Sequence, residues 1–213
     1  MSEIIQSGGE VMWVLVVMSV VALTVLMERL IVLHRAPGED EIERALNEVE
    51  QIVKQSGEKA AAEHCAQGRG FVNYVFLALM KRFDVLVLEE RDADDMRDEL
   101  VMTTTASSRK YLGRFLLVLS TIATVAPLLG LLGTILGMIT AFESIARAGT
   151  GDPQVVASGI SVALLTTAGG LIIAIPSLIF YRYLATRAEA IVERAELYFH
   201  AFGNTLIKTH SAS

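Results

Sequence analysis

Three stretches of this chain carry no charged residue: Val11–Met27, Phe115–Phe142 and Pro153–Tyr181. A helix needs roughly 20 apolar residues to cross a hydrocarbon layer about 30 Å thick. Inside that layer each backbone N–H and C=O must be satisfied within the protein, which leaves helices or closed barrels as spanning elements. The second and third stretches are long enough with residues to spare, and the first is at the short end. The chain therefore reads as an all-α, polytopic membrane protein with three transmembrane helices, at 11–27, 115–142 and 153–181. Overall composition says less than this distribution: 53% of residues are hydrophobic and mean hydropathy is +0.49, only moderately high.

Lysine and arginine near span ends mark the cytoplasmic side. Arg29 and Arg35 follow the first span, Arg109, Lys110 and Arg114 precede the second, and Arg182 and Arg187 follow the third. The loop 143–152 holds only Arg147, and no Lys or Arg precedes the first span. Residues 1–10 and 143–152 are thus expected outside, and 28–114 and 182–213 inside. The N-terminus opens acidic, with Glu3 and Glu10, and lacks a small-residue cleavage site, so it does not read as a cleavable signal. Trp13 suits the outer interface.

The inner segment 28–114 reads as helices. Ile42, Leu46, Val49 and Val53 keep helical spacing over Glu39–Gln55, and Ser56-Gly57 ends that helix. Glu58–Gln67 is a second helix, closed by Gly68 and Gly70, and Phe71–Phe83 is a third. From Asp92 the series Met96, Leu100, Thr103, Ser107, Tyr111 meets no proline or glycine before Gly113. It predicts one long helix running into the second span. The third span likewise continues through Ala185, Ala188, Val192 and Ala195 towards Phe199. These two extensions are expected to pack with the shorter helices as a cytoplasmic bundle. Asp152-Pro153, after Gly149-Thr150-Gly151, has the chemistry of a helix start.

The second and third spans are rich in Gly, Ala, Ser and Thr, which in lipid favours close helix packing. Pro127, Gly130, Gly133, Gly137, Gly159, Gly170 and Pro176 read as packing and kink positions, with Gly133 and Gly137 at small-xxx-small spacing. Thr134, Thr166 and Thr167 lie near mid-membrane by count. Each hydroxyl can bond a carbonyl of its own helix or be offered to water and a partner.

The run Ala126-Pro127-Leu128-Leu129-Gly130-Leu131-Leu132-Gly133-Thr134, with Gly137-Met138-Ile139 and Phe142, resembles the second-span signature of the MotA/TolQ/ExbB proton-channel family. Gly159 to Ala168, then Gly170-Leu171 and Ala174-Ile175-Pro176, is similar to its third-span motif, as is Glu28-Arg29 to the end of the first. Three spans resemble the ExbB/TolQ branch rather than the four-span flagellar stators. The resemblance implies a bacterial inner-membrane subunit with its N-terminus periplasmic and its C-terminus cytoplasmic. It further implies a homopentamer whose second and third spans surround an ExbD/TolR-like single-span partner carrying a transmembrane Asp. Proton flow through that Asp would act on a TonB- or TolA-like protein. The family's pore-facing threonines map onto Thr134 and Thr167. Val162 stands where members of this branch commonly have a third-span glutamate.

Other functions find little support. A net charge of −6 argues against nucleic acid. Cys65 is the one cysteine, and His34, His64, His200 and His210 lie outside the spans without metal-ligand spacing. No glycine-rich phosphate loop occurs. Neither enzyme, cofactor nor metal is expected; the alternative is a structural scaffold that assembles a membrane complex without proton coupling.

Overall fold

The computed structural model of the chain describes residues 9–148 and 153–211, and every element among them is an α-helix. These are α1 (Gly9–His34), α2 (Glu39–Gln67), α3 (Phe71–Leu88), α4 (Ala93–Leu112), α5 (Leu116–Ala148) and α6 (Pro153–Ser211). The sequence expectations for residues 1–8, for the turn at 149–151 and for Asp152 as a cap lie outside the described residues. α1, α5 and α6 contain segments long and apolar enough to cross a membrane, with mean hydropathies of 2.4, 2.1 and 2.1. The helices divide between two units, 1–30 with 115–184, and 31–114 with 185–213.

In the first unit, α1 packs through Val11, Met12 and Leu15 against Ala126 of α5 and Ala174 of α6. Met12 also lies against Gly169 of α6, where an added Cβ would meet its sulfur at an ordinary contact distance of 3.5 Å. Large apolar side chains elsewhere on these helices, among them Val17, Leu128, Ile135, Phe142 and Ile172, are exposed. Such a surface requires lipid or further protein around it.

The expected continuous helix from Asp92 into the second span is corrected by the structure. α4 ends at Leu112, where the Gly113 N–H donates to the Arg109 carbonyl at 2.8 Å. Phe115 adopts φ 62°, and α5 begins at Leu116, the Val118 N–H donating to the Phe115 carbonyl. A left-handed phenylalanine costs about 1–3 kcal/mol and persists only where surroundings impose it. Arg29 supplies part of those surroundings, its guanidinium 5.7 Å from the Phe115 ring centre. The Arg29 side chain is only 4% exposed and is ion-paired with its neighbour Glu28.

The second unit is a bundle of α2, α3, α4 and the C-terminal part of α6. Ile42, Leu46, Val49 and Val53 of α2 are buried as expected, and Gly57 breaks the helix with φ 83°. α3 runs past Phe83 to Leu88, because Leu86 adds another buried turn, and α6 runs past Phe199 to Ser211. Asp92 caps α4 by accepting from the Asp94 and Asp95 amides at 3.0 and 2.8 Å. The buried stripe of α4 is Met96, Leu100, Thr104, Ser108 and Leu112, one residue away from the expected Thr103 and Ser107. The core centres on Phe76, which meets Phe199 and Phe202 edge-on at 5.0 and 4.8 Å. Edge-on ring pairs contribute about 0.5–1.5 kcal/mol beyond the area they bury. Around them Thr105 bonds Glu196, Arg97 bonds Asn204 and Arg109 pairs with Glu189.

Candidate functional site

Within the first unit the small residues of α5 and α6 meet along one antiparallel seam. A Cβ added to Gly133 would lie 2.5 Å from Thr166 Oγ1, and one on Gly170 would lie 2.5 Å from the Ala126 carbonyl oxygen. On Gly159 it would lie 2.5 Å from the Ala141 Cβ. Gly130 approaches Thr166 and Thr167, and Gly137 approaches Gly159 and Ala163, at 3.0–3.3 Å by the same measure. The α5 positions 126, 130, 133, 137 and 141 advance by four, three, four and four residues, and 159, 163, 166 and 170 on α6 answer them. That spacing keeps one helix face on its neighbour. Without side chains between them the two backbones come close, which is how helices associate in lipid.

The three threonines occupy different places on this seam. Thr166 is fully buried, and its hydroxyl points to the Ala163 carbonyl of its own helix at 2.8 Å and the Gly130 carbonyl at 3.4 Å. Thr167 is half-buried and donates across the seam to the same Gly130 carbonyl at 3.2 Å. Thr134, one turn beyond Gly130, is half-buried and donates to the Leu131 carbonyl on its own helix at 2.6 Å. A carbonyl oxygen has two lone pairs, so Gly130 can accept from α6 while still serving its own helix. Thr167 and Thr134 thus stand at the edge of the seam with their hydroxyl oxygens still able to accept, and Thr166 lies inside it.

Val162 is half-buried on α6, one turn before Thr166. Pro127 is half-buried in α5 and Pro176 is exposed in α6. Each lacks the N–H that would bond the carbonyl four residues back. No Asp, Glu, Lys, Arg or His occurs in 115–142 or 153–181, so neither span supplies a carboxylate, an amine, a guanidinium or an imidazole. Among the described residues no three or more His, Cys, Asp or Glu are grouped to hold a metal ion.

Two features went unread in the sequence. The alanines Ala126, Ala141 and Ala163 belong to the seam as fully as the glycines, and the four-three-four-four spacing is the signal that finds them. Arg29 is a buried cation rather than a flanking charge. Its sequence signals are the acid directly before it, at the end of an uncharged run, and the likeness of Glu28-Arg29 to the family's motif there.

The profile of the MotA/TolQ/ExbB proton channel family matches residues 69–197, a segment that holds the whole seam. The chain is 30% identical over 202 residues to "Biopolymer transport protein exbB1" of Vibrio cholerae, covering 92% of this chain and 84% of that protein. It is 34% identical over 203 residues to "Putative biopolymer transport protein ExbB-like 1" of Synechocystis, covering 93% and 74%. A shorter match, 42% over 80 residues, covers 38% of this chain and 33% of "Biopolymer transport protein ExbB" of Salmonella typhimurium.

Proposed function

The chain belongs to the MotA/TolQ/ExbB proton channel family, and from that premise we propose that it is an ExbB/TolQ-like subunit of a motor complex driven by the proton motive force. The observation that carries the reading is the seam itself: hydroxyls at its edge, in spans with no carboxylate, amine, guanidinium or imidazole. A proton relay needs a group that binds and releases a proton near neutral pH, and a threonine hydroxyl does not. An acid inside a membrane is costly and is kept where it works. Since this chain has none in its spans, the acid comes on another helix, the Asp of an ExbD/TolR-like single-span partner.

In this reading five copies surround that partner, with α5 and α6 towards it. Thr134 and Thr167 hydrogen-bond the partner's carboxylate or the waters that reach it, and Thr166 fastens the seam that positions both. Moving one charge through about 100 mV is worth roughly 2.3 kcal/mol, enough for a few protons to drive a conformational step. The step acts on a TonB- or TolA-like protein and so energises transport or envelope work. The complex sits in the bacterial inner membrane, and the Lys and Arg flanks support an outside N-terminus with 28–114 and 182–213 in the cytoplasm.

One observation favours a second reading. Val162 leaves the third span without the acid common in this branch, and a scaffold that conducts no protons would need none. Proton flux in vesicles holding both subunits separates the two. Flux that collapses when the partner's Asp becomes Asn supports the motor; flux indifferent to that change supports the scaffold.

A further inference from the structure

An open cavity of about 420 Å³ in the second unit brings cationic side chains to the end of a spanning helix. Ile31 and Val32 from the last turn of α1 line it, together with Tyr111 from the last turn of α4 and Gly70 at the start of α3. Arg35 and Arg69 line it as well, and both are exposed. Other arginines of this unit are answered from within: Arg82 by Glu99, Arg91 by Glu89 and Asp95, Arg97 by Asp94, Arg109 by Glu189. No acid among the described residues pairs with Arg35 or Arg69. The start of α3 at Gly70 has no side-chain cap, which adds partial positive charge of the same sign.

Chain connectivity sets where this cavity lies. Ile31 and Val32 belong to the spanning helix α1, and Arg35 is the residue after its end. Tyr111 is five residues before α5 begins at Leu116, at most about 18 Å of extended chain. The cavity therefore opens at the depth where lipid headgroups lie. Its size falls in the range of ligand pockets, about 300–1,000 Å³. Basic pockets beside spanning helices take anionic lipid headgroups, and guanidinium groups match phosphate oxygens in paired geometry.

We propose that this cavity binds the phosphate headgroup of an anionic phospholipid from the adjoining leaflet. Arg35 and Arg69 hold the phosphate, and Ile31, Val32 and the Tyr111 ring lie along the glycerol and upper acyl carbons. The apolar wall and the continuity with α1 favour a lipid over free phosphate, which shares the same charge chemistry. The site rests on the spans and the cavity alone and stands whether or not the complex couples to protons.

Native mass spectrometry of the full-length protein in mild detergent tests it, with phosphatidylglycerol, phosphatidylcholine and inorganic phosphate titrated separately. The expected result is one phosphatidylglycerol per chain, bound at least about tenfold more tightly than phosphatidylcholine. The double variant Arg35→Gln/Arg69→Gln should weaken that binding at least about tenfold, while Arg44→Gln/Arg91→Gln, equal in charge but outside the cavity lining, should not. Equal binding of the two lipids by the wild type overturns the proposal without reference to any variant. So does unchanged phosphatidylglycerol binding in the first double variant, or inorganic phosphate binding as tightly as the lipid.

Discussion

Thr167 of α6 donates its hydroxyl hydrogen to the carbonyl of Gly130 on α5, 3.2 Å away, in the middle of two spans that hold no charge. Its neighbour Thr166 reaches the same oxygen from inside the seam. Two adjacent residues thus have different exposures and predict different phenotypes.

Thr167→Val and Thr134→Val keep shape and remove a hydroxyl at the seam's edge. Each should abolish partner-dependent proton flux while costing no more than about 0.5–1.5 kcal/mol of stability, the usual net worth of a hydrogen bond. Thr→Ser at either position should retain flux. Vesicle flux assays together with thermal unfolding in detergent measure both quantities. Wild-type flux in both valine variants would reject the assignment of these hydroxyls to the proton path.

Gly133 and Gly169 should respond oppositely to the same substitution. Alanine gains up to about 1 kcal/mol over glycine in a helix through backbone entropy. At Gly169 the new methyl meets the Met12 sulfur at an ordinary 3.5 Å, so Gly169→Ala should be neutral or slightly stabilising. At Gly133 it would lie 2.5 Å from Thr166 Oγ1 and force the helices apart, so Gly133→Ala should destabilise by about 1–3 kcal/mol. Adding Thr166→Gly should recover part of that loss. A Gly133→Ala protein that melts at or above the wild-type temperature would mean the seam is looser than described.

The spans and the break at Gly57 were legible because long uncharged runs and a glycine after a polar stretch have few alternative readings. The end of α4 was not. No proline marks it, and it depends on the left-handed conformation of Phe115, beside whose ring Arg29 lies after a chain separation of many residues. The buried stripe of α4 was misread by one position for a different reason. Thr103 and Ser107 offer the same chemistry as Thr104 and Ser108, so residue type could not choose between two registers about 100° apart. The same ambiguity separates Thr166 from Thr167, and only the approach of α5 decides which one is enclosed.

Cys65 should be inert although it is the chain's one thiol. The residue is 2% exposed, and its pKa is pushed up to about 11, by burial first and then by the charge of Glu48. At pH 8 roughly 0.1% of such a thiol is thiolate, against about a quarter for a free cysteine. Maleimide labelling of the native protein should therefore run at least about 100-fold slower than labelling of the unfolded chain. Labelling within tenfold of the unfolded rate would show that the second unit opens readily at α2.

Glu58, in the segment of α2 after the break, gives the second unit a pH dependence of definite sign. Its pKa is raised above 4.5, first by burial and then by the charge of Asp84, with His210 opposing. A carboxyl whose folded pKa exceeds its unfolded value binds its proton more tightly in the native state. Its contribution to stability is therefore fully present below the unfolded value and lost as pH rises through the folded one. At neutral pH the ionised Glu58 works against folding. Glu58→Gln should raise the melting temperature at pH 7, and this gain should shrink as pH falls towards 4 and below. Asp84→Asn should act in the same direction by removing the repulsion, whereas His210→Gln should lower stability, since it removes an edge-on contact with Phe83 at 5.8 Å. Melting curves for the three variants between pH 4 and 8 check the set. A Glu58→Gln protein less stable than wild type at pH 7 would mean that the carboxylate has a stabilising partner that outweighs its burial.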